Sequence, residues 1–219
     1  MPPLDTLIGD TTGAITIRDS ALIPTFGIYP VGEWGKVIYI DTTTFKKYGM
    51  VIFFDPWEED SRRYVEILSE LRSKVENEWG FEVFLVASRM SIVSCQEHLS
   101  ESKFPEDWNC DIFIMPDFKE PRRSADSLKK ALTKLKTAFP VYRLKHPLRL
   151  KKLGSKPYHP TILTIKENYL MYVEPGERGF LTKGNKTVMK MIFKLAFPAM
   201  IKGLEEDWKY VSSKGGERK

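Results

Sequence analysis

Two cysteines in 219 residues cannot build a disulfide framework, and no apolar run approaches the roughly 20 residues that cross a bilayer. In the C-terminal part the longest polar-free stretch, Leu195–Ile201, is interrupted by Pro198 and bounded by Lys194 and Lys202. The opening residues, MPPLDTLIGD, hold two acids, and no base precedes Arg18, the charge pattern of neither a secretory leader nor an organelle-targeting segment. With three histidines and no paired Cys or His spacing, a metal-binding signature is missing too. There is no internal repeat. These absences lead to the expectation of an intracellular protein, cytoplasmic by default, with no spanning helix, metal or cofactor.

What is present is an ordinary globular composition, 42% hydrophobic and 29% charged, long enough to bury a core without metal or disulfide staples. Charge is segregated. Arg122 to Lys156 carries twelve bases against one acid, Asp126, and so is +11 on a chain of net +5, leaving −6 for the rest. Such a chain can present one basic face to an anionic partner and stay soluble through the other.

The run KVIYIDT (36–42) is rich in β-formers, and MVIFF (50–54) is continuously apolar, as in a strand covered on both faces; the two are expected to be neighbours. Asp55-Pro56-Trp57-Glu58 follows, combining a capping Asp, Pro at a first helical position and Glu three residues after the cap. The spacing of Tyr64, Leu68, Leu71, Val75 and Trp79 predicts one helix that Gly80 ends. FEVFLVA (81–87) then predicts a second buried strand, completing a βαβ unit. Ser91 is expected to cap a short helix with Ile92, Cys95 and Leu99 on one face. DIFIM (111–115) reads as a strand and Ser124–Phe139 as a helix with its lysines outward. Val141–Leu153, punctuated by prolines, has room for a short strand and a helical turn or two. Thr161–Ile165 and Tyr169–Val173 form a hairpin, and a last helix spans about Lys186–Tyr210, with Pro198 inside it.

GKVIYIDTTTFKKYGMVIFFDPW and YHPTILTIKENYLMYVEPG, at this spacing and in this element order, resemble the thioredoxin-like superfamily in its peroxiredoxin (alkyl hydroperoxide reductase) type elaboration. The resemblance covers roughly residues 31–210, and His159-Pro160-Thr161 is its most specific element. It implies an α/β fold with a central mixed sheet flanked by helices. The expected layout is an N-terminal arm over 1–30, the domain over 31–211 with a basic insertion at about 104–156, and a flexible tail over 212–219. It also implies a cis bond before Pro160, turned toward the start of the helix after Asp55. Where thioredoxins carry Trp-Cys-x-x-Cys, this chain has Trp57-Glu58-Glu59-Asp60-Ser61, and the peroxiredoxin register falls on Pro56, Asp60 and Arg63. Both registers lack their thiols. A helix start lowers a thiol pKa and so supplies thiolate, but Glu58, Glu59 and Asp60 in that field are poor nucleophiles toward sulfur or peroxide.

The first expectation is therefore a redox-inactive thioredoxin-like protein acting as a binding subunit or adaptor. Trp57, His159 and Pro160 are its candidate groove, with Glu58, Ser61 and Arg63 as remnants of the catalytic position. The second is a divergent thiol oxidoreductase or peroxidase using Cys95 or Cys110, against the commoner fate of such cysteines as small buried hydrophobes. A zinc site from Cys95, His98, Cys110 and His146 or His159 lacks ligand spacing. The acidic triplet at 58–60 is ordinary helix-start electrostatics before it is a general acid pair. A third expectation is an RNA- or ribosome-associated module, or a dock for an acidic protein, using Arg122, Arg123, Lys129, Lys130, Lys134, Lys136, Arg149, Lys151 and Lys152. The plainer reading is a solvated helix face, since few aromatics interleave. The 186–210 helix is expected to pack on the sheet, with peripheral membrane contact or a partner groove as the alternatives.

Overall fold

A computed structural model describes residues 15–18, 21–33, 36–97, 108–115, 125–153, 160–175 and 186–215. In chain order these form β1 (Ile15–Arg18), β2 (Ala21–Leu22), β3 (Phe26–Pro30), β4 (Ile38–Ile40), β5 (Tyr48–Phe54), α1 (Glu59–Glu70), a π-helical turn (Lys74–Glu78), β6 (Phe81–Ala87), β7 (Arg89–Glu97), β8 (Trp108–Met115), α2 (Ala125–Lys134), β9 (Val141–Leu144), β10 (Leu148–Leu153), β11 (Thr161–Lys166), β12 (Tyr169–Pro175) and α3 (Lys186–Gly215).

All seven residues of β5 are buried. It pairs in parallel with β6 and antiparallel with β11, at the middle of an eight-stranded mixed sheet of order β2-β12-β11-β5-β6-β9-β3-β4. Strand alternation divides its side chains. Tyr48, Met50, Ile52 and Phe54 join the core beneath the helices, while Val51 and Phe53 join a second core on the other face. A four-stranded sheet, β1-β10-β8-β7, supplies Ile114 and Leu148 to that second core. The parallel β5-α1-β6 unit, the β11–β12 hairpin beside β5 and the closing helix α3 make the thioredoxin-like α/β fold. α3 is fastened by its aromatic face: Phe193 lies 5.0 Å from the Tyr64 ring, and Phe197 stacks on Trp79 at 4.7 Å. It runs through Pro198 and on to Gly215. No described helix is long and apolar enough to cross a membrane.

Several local expectations are corrected. Asp55 does not cap the helix; its carboxylate accepts the Trp57 amide at 2.9 Å and its carbonyl the Glu58 amide at 3.1 Å, closing a turn, and α1 begins at Glu59. The single helix to Gly80 is interrupted at Leu71 and continues into the π turn before Gly80 reverses the chain at φ 73°. The expected Ser91 helix is strand β7, whose alternation is hidden by a register irregularity between Ile92 and Ser94. In sequence that irregularity leaves Ile92, Cys95 and Leu99 at helical spacing, but pairing with β8 decides the conformation. Val141–Leu153 holds two strands rather than a strand and helical turns. β4 lies at the far edge of the large sheet beside β3, not against β5, because a turn at Asp41–Thr44 redirects the chain: Asp41 accepts the Thr43 amide at 2.8 Å. Residues 1–30 contribute β1, β2 and β3.

Gly49 sits where the buried Phe45 ring lies against β5, in the space a Cβ would occupy. Gly49→Ala should destabilise the fold by about 1–3 kcal/mol through overpacking, read as a lower urea midpoint with an unchanged slope.

Candidate functional site

The carboxyl end of β5 meets the start of α1, and Thr161 pairs with Phe53, which brings the buried Pro160 to the same end of the sheet. Trp57 is half-buried and packs against the helical core. Glu58 is the N-cap, extended at φ −82° and ψ 130°, and its carbonyl takes the first helical bond from the Arg62 amide at 3.1 Å. Its carboxylate does not cap the helix; Glu58 Oε2 accepts the Ser61 hydroxyl at 3.2 Å. Positions 58 and 61 thus touch across the first turn. Ser61 is fully buried and Asp60 nearly so, with Asp60 Oδ1 finding no hydrogen-bond partner among the described residues. Arg63 is half-buried on the same helix. An alcohol hydrogen-bonded to a carboxylate is not an activated nucleophile, because a carboxylate is far too weak a base to deprotonate it. His159 lies outside the described residues, and with it the expected cis bond.

The basic segment is divided. Lys129, Lys130 and Lys134 are exposed on α2, and Lys136 just beyond it, on the helical side of the large sheet. Arg149, Lys151 and Lys152 belong to β10 in the small sheet, on the opposite side. Arg122 and Arg123 lie outside the described residues. On α3, Lys186 and Lys190 both reach Glu70 of α1 and hold its carboxyl below the usual range, while Lys194 is exposed. That helix also leaves Val188, Met191 and Leu195 exposed.

At the opposite end of the sheet stands a cluster that the sequence reading missed. Lys166 closes β11 with only 4% of its side chain exposed; it meets Glu205 of α3 at 2.9 Å and lies over the rings of Tyr48 and Trp208 at 5.1 and 5.8 Å. The Tyr48 hydroxyl donates to the same Glu205 oxygen. These contacts, with the Tyr48 bond foremost, hold the Glu205 carboxyl below its ordinary pKa, and burial followed by that bond pushes the Tyr48 phenol upward. The available signal was Lys166 itself, a charge ending an otherwise buried strand, which demands a partner. Nearby, a cavity of about 500 Å³ is lined by Lys47, Arg72, Glu76, Phe84 and Tyr142, among others.

No protein-family model matches the chain, and no curated protein matches it significantly. Among solved structures, it is similar to an uncharacterized conserved protein of Geobacillus kaustophilus, with 11% identity and a TM-score of 0.46 over 84% of this chain and 82% of that one. A hypothetical protein of Sinorhizobium meliloti 1021 shares 11% identity at a TM-score of 0.49, over 85% and 86% of the two chains. A thiol:disulfide interchange protein of the thioredoxin family from Chlorobium tepidum TLS shares 16% at 0.43, over 81% and 97%.

The lowered Glu205 pKa fixes a sign. Its contribution to stability is full above the unfolded carboxylate value, near pH 4.3, and is lost as the pH falls through the lower folded value. Glu205→Gln should cost about 1–2 kcal/mol at pH 7, limited because 40% of that side chain faces screening water. The deficit should narrow below about pH 4, as read by urea titrations across that range.

Proposed function

We propose that this chain is a peroxiredoxin-type elaboration of the thioredoxin-like fold that has given up thiol chemistry at its helix start and works by binding a protein partner, as an accessory subunit or adaptor. The observation that carries this reading is the Glu58–Ser61 contact: the two positions that a dithiol would use hold a carboxylate and a buried alcohol in hydrogen bond, beside the half-buried Trp57. A large aromatic at the rim of a rigid sheet end, next to a proline, is the kind of anchor that partner proteins engage. A nucleic-acid role for the basic segment draws less support, since its residues are divided between two sides of the large sheet.

A second reading, a divergent thiol oxidoreductase, is favoured by one observation, the meeting of Cys95 and Cys110 at a single register position. The two readings separate in one set of assays. On the binding reading, the wild-type protein neither reduces insulin disulfides catalytically nor turns over peroxide in the presence of dithiothreitol. Trp57→Ala should deplete at least tenfold, by quantitative mass spectrometry, the partners co-purified from native extract. Thiol turnover that disappears in Cys95→Ser or Cys110→Ser would establish the oxidoreductase instead, and partner recovery indifferent to position 57 would remove the groove from the account.

A further inference from the structure

α3 carries apolar residues on two sides, and the fold covers one of them. Met189, Phe193, Phe197 and Leu204 are buried in the helical core. On the other side Val188, Met191 and Leu195 are 49%, 59% and 73% exposed, and Pro198 and Ala199 are exposed after them. Steps of three and four residues place these side chains in one stripe along the helix, about 16 Å long at about 1.5 Å per residue. A contiguous apolar stripe on a helix already docked by its opposite side is surplus to folding and marks a contact surface.

The charges beside the stripe are of one sign. From Lys186 to Lys202 the helix carries Lys186, Lys190, Lys194 and Lys202 and no acid. Lys186 and Lys190 engage Glu70 of α1. Lys194 is exposed and forms no ion pair with a described residue. Lys202 lies 3.9 Å from Glu206, with 80% and 65% of the two side chains in solvent, a separation and exposure at which an ion pair is weak. Acids enter the helix at Glu205, Glu206 and Asp207, beyond the end of the stripe. The face therefore combines an aliphatic ridge with cations that the fold leaves available.

We propose that the exposed face of α3 from Val188 to Lys202 docks on an anionic lipid bilayer, its aliphatic stripe entering the boundary between headgroups and acyl chains and Lys194 and Lys202 resting among the lipid anions. This goes beyond the readings above and is independent of Trp57 and of the cysteines. A helix lying in a membrane surface buries its apolar face roughly 5–10 Å deep, and a ridge one side chain high on a convex helix fits that depth. Lysines without acids match a surface of one sign, where each adds about fivefold to partitioning. A second copy matches less well. Two antiparallel copies paired about Leu195 would set Lys194 beside its own counterpart, like charge against like.

The test is co-sedimentation of the full-length protein with vesicles of phosphatidylcholine alone or with about 30 mol% phosphatidylserine. At about 0.1 M salt the wild type should partition about tenfold or more strongly onto the serine-containing vesicles. Most of that preference should vanish at about 1 M salt. Lys194→Glu with Lys202→Glu should erase the preference, and Met191→Ser with Leu195→Ser should lower recovery on serine-containing vesicles about tenfold or more. All four positions are exposed, so the urea midpoints of both variants should stay near that of the wild type. Equal partitioning of the wild type onto the two vesicles, or undiminished recovery of the Met191→Ser, Leu195→Ser variant, would overturn the proposal. A wild type that stays in the supernatant with both vesicles would also overturn it, and a solution dimer abolished by the same variant would then assign the stripe to a second copy.

Discussion

A strand whose seven residues are all buried must have its backbone N–H and C=O groups paired within the protein, so β5 needs a hydrogen-bonded neighbour along each edge and an apolar cover on each face. β6 and β11 supply the edges. The helices cover one face, and the small sheet, through Ile114 and Leu148, helps cover the other. The rest of the geometry is a consequence. The turn at Asp55–Glu58 must launch α1 from the end of β5, and Pro160 must enter β11 beside that end. Lys166 and Tyr48 must meet α3 at the opposite end, where Glu205 neutralises the buried ammonium.

In the proposed reading this frame builds a helix start of the kind thiol chemistry uses and fills it with a carboxylate and an alcohol. Glu58 and Ser61 satisfy one another, and burial of Ser61 keeps its hydroxyl from solvent. The chain's two cysteines stand elsewhere, at paired positions of β7 and β8 in the small sheet.

The large sheet was legible in sequence because its strands are strongly apolar and its elements follow in a recognisable order: MVIFF, FEVFLVA and the 161–173 hairpin all fall inside observed strands. Of the small sheet, DIFIM reads as a strand and falls inside β8, but β7 reads as a helix. β7 interrupts its own alternation at Val93, which leaves Ile92 and Cys95 at helical spacing, and only the long-range pairing with β8 resolves the ambiguity. The start of α1 misled in a similar way. Asp55, Pro56 and Glu58 carry the residue types of a cap, but Asp55 spends its carboxylate on a turn that precedes the helix. In the candidate site, Trp57, Glu58 and Ser61 were named from sequence, whereas the register of Cys95 with Cys110 depends on a bulge that composition does not reveal.

The central claim is that the helix start keeps the geometry of a thiol site and lacks only its thiols. It is tested most directly by placing Glu58→Cys and Ser61→Cys together in a chain whose own cysteines are replaced by Cys95→Ser and Cys110→Ser, then measuring disulfide formation between the two new positions in the folded protein. The account predicts a reducible intramolecular disulfide that forms under mild oxidation and confers insulin-reducing exchange on a protein otherwise without it. Two thiols at 58 and 61 that remain separately alkylatable in the folded protein under those conditions would contradict it.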